Sequence, residues 1–92
     1  DVPLMDGALE LSEKAVQSSL YPDNLSDALT MMNAPETARG RLMLDPQTAG
    51  GLLAAIAPED AQKAIAEMKE QGINAVQIGR IIDGPIALKL IE

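Results

Sequence analysis

The stretch from Pro58 to Gly72 constrains the fold more than any other part of the chain. Proline suits the first helical position, because its fixed φ is already helical and its missing N–H would have had no partner. Glu59 and Asp60 then place negative charge beside the positive end of the helix dipole. Ala61, Ala64, Ile65 and Met68 recur at helical spacing and form one apolar stripe. Glu59 and Lys63 sit four apart on the solvated side. Gly72 offers the residue that tolerates positive φ, where helices end. The spacing predicts a helix from Pro58 to about Gln71. Its apolar stripe needs a surface to pack on, so the flanking segments decide the architecture.

Those flanks read as strands. Before the helix, Leu52-Leu53-Ala54-Ala55-Ile56 is a continuous apolar run that suits a strand buried on both faces. After it, Ala75 to Ile82 is β-branched and partly alternating. Asp83-Gly84 then gives the strongest short hairpin signal, since both central turn residues need positive φ. The return strand, Pro85 to Ile91, alternates Ile86, Leu88 and Leu90 against Ala87 and Lys89. Pro85 lacks a ladder donor, which puts this strand at an edge. A parallel crossover followed by a hairpin implies an α/β (α+β) fold, a mixed β-sheet with helices packed on it.

The first half is more helical. Asp6 is placed to cap a helix running to about Val16. Ser18 to Asn24, with Tyr21-Pro22-Asp23-Asn24, reads as a loop. Asn24 or Ser26 would cap a second helix carrying Leu25, Ala28, Leu29 and Met32. Asn33 to Gly40 reads as a connection, and Arg41-Leu42-Met43-Leu44 leads to the central turn.

Composition narrows the function classes. At 92 residues the chain holds one domain, 1–92. With 47% hydrophobic and 23% charged residues it is no disordered chain. It has no cysteine and no histidine, which leaves no thiolate zinc site, no thiol nucleophile and no imidazole base. A net charge of −7 with a single Tyr and no Phe or Trp speaks against nucleic-acid binding. No apolar run approaches the ~20 residues that span a bilayer. No basic segment followed by an apolar one opens the chain, so the default expectation is cytoplasmic. The first residue is Asp1, as in a processed chain or a piece of a larger one.

Asp45-Pro46-Gln47-Thr48-Ala49-Gly50-Gly51 is the one stretch whose chemistry stands apart. Paired glycines permit positive φ or a close approach by another group. Successive amides in such a turn can form an anion-holding concavity, with the Thr48 hydroxyl as a further donor. The plainer reading is a structural turn, with Asp45 capping local amides. It is no Walker motif, because Leu52 follows Gly51 where a lysine would be needed. Arg39 and Arg41 could reach a phosphate, yet such arginines more often pair locally. Met31, Met32 and Met43 read as core filler.

The run Leu44 to Leu53 closely resembles the Asp-Pro-Gln-Thr-Ser-Gly-Gly-Leu-Leu signature of the selenophosphate synthetase (selenide, water dikinase) family. That family belongs to the aminoimidazole ribonucleotide synthetase superfamily. The likeness continues through Ala54 to Pro58 and the following helix, to Ala75-Val76-Gln77-Ile78-Gly79-Arg80. Upstream, Val2 to Leu11 is similar to another stretch of the family. The resemblance is specific over 42–82 and loose over 17–41. Ala49 stands where the family usually has Ser, which removes one hydroxyl from the turn.

The resemblance implies the later part of the family's C-terminal domain. The family makes selenophosphate from selenide, ATP and water, with magnesium, and releases AMP and phosphate. Its N-terminal ATP-binding domain carries the nucleophile, a lysine and the metal-binding aspartates, and the full-length enzyme is a homodimer. By that likeness this chain would wall the nucleotide cleft, with Thr48, Gly50 and Gly51 as its phosphate-facing turn. It would supply no catalytic residue and no metal ligand, and would hold neither ATP nor magnesium alone. Two other readings are a non-catalytic α/β interaction or regulatory module, and another ATP-dependent enzyme of the superfamily.

Overall fold

The computed structural model describes residues 2–91. They fall into two compact units, one of residues 4–50 with 84–91 and one of residues 2–3 with 51–83.

The first unit holds three helices, α1 (Ala8–Glu13), α2 (Tyr21–Ala28) and α3 (Ala38–Leu42). α1 is shorter than its predicted span, and Asp6 does not cap it; Gly7 is the N-cap, at φ 80°. The helix closes with paired bonds, Ala15 N–H to the Ser12 carbonyl and Val16 N–H to the Leu11 carbonyl, both 3.0 Å. That closure puts Ala15 in the left-handed region, at φ 60°, a place usually held by glycine.

α2 begins earlier than the sequence suggests. Tyr21-Pro22-Asp23-Asn24, read as a loop, is its first turn. The same residues that favour a turn also favour a helix start: proline lacks a donor the first turn does not use, and Asp23 complements the dipole. Asn24 therefore lies inside the helix and caps nothing. Its side chain donates instead to the Leu44 carbonyl at 2.8 Å. α3 starts where a connection was expected, because Thr37 caps it by accepting from Gly40 N–H at 3.0 Å.

α1 packs on α3 at small residues. Ser12 and Gly40 are both buried, and the Ser12 hydroxyl donates to the Ala38 carbonyl at 2.8 Å. Tyr21 completes the buried set of this unit.

The second unit contains α4 (Pro58–Glu70). Its predicted span, start and stop are all found. Gly72 takes φ 75°, its N–H bonds to the Lys69 carbonyl at 3.0 Å, and Ile73 N–H reaches the Met68 carbonyl at 2.9 Å. This is a Schellman closure. Of the predicted stripe, Ala61, Ala64 and Ile65 are half-buried, while Met68 is exposed. Lys63 pairs with Glu67 at 3.8 Å rather than with Glu59. The pair is largely exposed and adds at most a few tenths of a kcal/mol.

The mixed sheet is not seen among the described residues, which contain no strand and one isolated parallel bridge, between Met32 and Leu88. The run 52–56, expected to be buried on both faces, exposes Leu52 and Leu53 almost fully. A strand is stable only against a neighbour that takes up its backbone groups, and here no neighbour lies alongside. The Asp83-Gly84 hairpin fails for a local reason. A two-residue hairpin is closed by the N–H of the residue after the turn, and that residue is Pro85, which has none. Asp83 is not among the positive-φ residues, while Gly84 takes φ 157°, so only one of the two turn positions has the positive φ a hairpin turn requires.

Pro85 to Ile91 turns to the first unit instead. Leu88 N–H donates to the Met31 carbonyl at 2.8 Å. Two residues on, the Asn33 side chain takes both polar groups of Leu90.

Candidate functional site

The turn at 45–51 follows α3 directly, its first amide held by Asp45 N–H donating to the Leu42 carbonyl at 3.2 Å. Pro46 is half-buried, and Asp45 and residues 47–51 are exposed. Of the predicted binding residues, Thr48 and Gly50 lie in the first unit and Gly51 opens the second.

Of the two readings of the paired glycines, positive φ is not taken up, since neither Gly50 nor Gly51 has a φ in the left-handed region. A Cβ at Gly51 would meet nothing within 4 Å, and one at Gly50 would meet only the Gln47 Oε1, at 3.2 Å. Thr48 and Gly50 in the first unit and Gly51 in the second are each exposed.

The other candidates separate cleanly. The Arg41 guanidinium donates to the Ser12 carbonyl at 3.2 Å, which fixes it to the C-terminal end of α1 as a structural residue. Asp45 does not gather further acids around it. Among the described residues no three His, Cys, Asp or Glu side chains form a group that could hold a metal ion. Of the methionines, Met32 and Met43 are half-buried and Met31 is exposed, so only two of the three act as packing.

Two open depressions lie elsewhere. One is flanked by Ile65, Lys69 and Ile73 at the end of α4, the other by Met31 and Leu88 beside the parallel bridge. Neither is lined by Thr48, Gly50 or Gly51. Among the described residues no helix is long and apolar enough to cross a membrane.

One structural residue escaped sequence reasoning. Asn33 reads as a loop asparagine, and no spacing signals that its amide will pair with a residue 57 positions away.

Comparison with known proteins bears on the whole of this arrangement. Residues 5–90 match the family described as AIR synthase related protein, C-terminal domain. A selenide, water dikinase of Pelobacter propionicus is 40% identical over 52 residues, covering 55% of this chain and 15% of that protein. Those of Clostridioides difficile and Geobacter metallireducens are 31% and 32% identical, each over 88% of this chain and 24% of the relative. The chain spans about a quarter or less of the length of these relatives. No solved structure matches it.

Proposed function

The chain belongs to the AIR synthase related protein, C-terminal domain, family, and from that premise we propose that it is part of an ATP-dependent selenophosphate synthetase. In this reading the whole enzyme forms selenophosphate from selenide, ATP and water. The present chain walls the nucleotide cleft and lends it the bare turn at Thr48, Gly50 and Gly51. The observation that carries the reading is the openness of this turn together with its sequence. A Cβ at Gly51 would meet nothing within 4 Å, and relatives bearing the name selenide, water dikinase align with most of the chain.

The chemistry divides accordingly. Phosphoryl transfer needs a nucleophile, cationic stabilisers and a metal clamp. In this reading these groups are supplied by an N-terminal ATP-binding domain of the parent protein. ATP and magnesium are held there, and the full-length enzyme is a cytoplasmic homodimer. What this chain contributes is position: backbone donors set beside a phosphate need no reorganisation when charge develops.

The same partnership accounts for the unformed sheet. Leu52, Leu53, Ile81 and Ile82 are exposed apolar residues on segments with strand-like sequence. Paired with strands of the parent protein, these segments complete the mixed sheet and cover the apolar stripe of α4.

The test is a paired assay. The full-length protein carrying this sequence, given selenide, ATP and magnesium, forms selenophosphate, AMP and phosphate, while the 92-residue chain alone forms none. AMP production by the isolated chain overturns the division of labour. A full-length protein that phosphorylates a different acceptor, or none, overturns the selenium assignment.

A further inference from the structure

The geometry points to Asp83–Gly84 as a site of spontaneous isoaspartate formation, a modification independent of the proposed enzyme activity. The step needs the Gly84 amide nitrogen to attack the Asp83 side-chain carboxyl carbon. A C–N bond forms, the C–OH bond of the protonated carboxyl breaks, the hydroxyl leaves with the amide proton as water, and a five-membered succinimide results. Water then opens the ring at either carbonyl. Opening at the side-chain carbonyl restores aspartate, and opening at the main-chain carbonyl leaves the backbone running through Cβ, as isoaspartate. Water is the only co-reactant.

Three features of the structure favour the attack at this position. Glycine has no Cβ to crowd the ring. Pro85 cannot donate the hydrogen bond that would close a turn over these two residues. Asp83 and Gly84 are exposed, and among the described residues the Gly84 amide has no hydrogen-bond partner. Neither residue lies in a helix or a strand.

The chain carries its own comparator. Asp6–Gly7 is the other Asp-Gly pair and is likewise exposed, with no hydrogen-bond partner for the Gly7 amide among the described residues, but it is fixed at the start of α1. Ala8 N–H bonds to the Met5 carbonyl at 3.1 Å across the pair, and the Gly7 carbonyl accepts from Leu11 N–H at 3.1 Å. The same chemistry in a locked turn is slow. The consequence at 83–84 is mechanical: an added backbone atom shifts Pro85 to Ile91 relative to Met31 and Asn33, whose bonds to Leu88 and Leu90 fix the register.

The experiment ages the folded chain in neutral buffer and maps isoaspartate by proteolysis and electron-transfer fragmentation. Isoaspartate is expected to accumulate at residue 83 several-fold faster than at residue 6. Unfolding in urea should bring the two rates together. Gly84→Ala, whose Cβ meets nothing within 4 Å but is strained at φ 157°, should slow the reaction, with circular dichroism of the variant checking that the fold is kept. Asp83→Glu, which would need a six-membered ring, should abolish it. Equal rates at residues 6 and 83 in the folded chain, or no isoaspartate at 83 where the unfolded chain shows it, overturns the inference.

Discussion

The side chain of Asn33 does for Leu90 what a neighbouring strand would do. Its Nδ2 donates to the Leu90 carbonyl at 3.1 Å and its Oδ1 accepts from Leu90 N–H at 2.7 Å. An amide carries donor and acceptor side by side, as a peptide unit does, so it can stand in for a ladder residue. With the Met31–Leu88 bond two residues earlier, it extends a single parallel bridge into a short strap.

Replacing Asn33 should loosen this strap. Asn33→Ala removes both bonds and is expected to cost about 1 kcal/mol, the low end for two exposed hydrogen bonds. Asn33→Asp keeps the acceptor but sets an oxygen against the Leu90 carbonyl, so it should be no better. Amide exchange at Leu90 reads the effect directly. Protection that survives either substitution means the strap is held by its apolar residues alone.

Ser12 is the most sensitive position of the first unit. It is 2% exposed, and its hydroxyl bonds to the Ala38 carbonyl. Ser12→Ala should destabilise the unit by ~1–2 kcal/mol through the lost bond. Ser12→Leu should cost ~1–3 kcal/mol, because the contact of α1 with α3 has no space for it. Thermal melting measures both, and a neutral Ser12→Leu would show that the two helices are not closely packed.

Two helix ends differ by a single atom. α1 and α4 close with the same pair of bonds, but the left-handed residue is Ala15 in one and Gly72 in the other. An L-residue with a Cβ is strained there. Ala15→Gly should therefore stabilise the chain by about 0.5–1 kcal/mol, and Gly72→Ala should destabilise it by a similar amount. Opposite shifts in melting temperature are the expected signature, and shifts of the same sign would contradict the shared geometry.

These positions also show what the sequence makes legible. α4 can be read in full, because its start, stripe and stop are each set by residues within the helix. The beginning of α2 cannot, because proline and aspartate serve a turn and a first helical turn equally well. The strands are less legible still. Helical hydrogen bonds close within a segment, whereas a strand depends on a neighbour that its own residues do not specify. Asp83-Gly84 illustrates the point locally: the dipeptide signals a hairpin, and the next residue, Pro85, removes the donor that closes it. At the candidate site, Asp45-Pro46 and Gly50-Gly51 signal a break in regular structure, which is found; of the two uses glycine offers there, positive φ is not taken up.

That distinction sharpens the test of the turn. If the glycines were needed for φ, valine at 51 would damage the isolated chain. The open space around Gly51 argues otherwise, so Gly51→Val should change the stability of the isolated chain by no more than about 0.5 kcal/mol. In the full-length enzyme the added side chain stands where a phosphate would approach. There the KM for ATP should rise on the order of tenfold, the equivalent of about one lost hydrogen bond of ~1.4 kcal/mol. Melting of the full-length variant separates this from misfolding, since a binding defect leaves the transition in place. An unchanged KM in a folded variant would mean that nothing meets the chain at this turn, and the cleft-wall reading would fall with it.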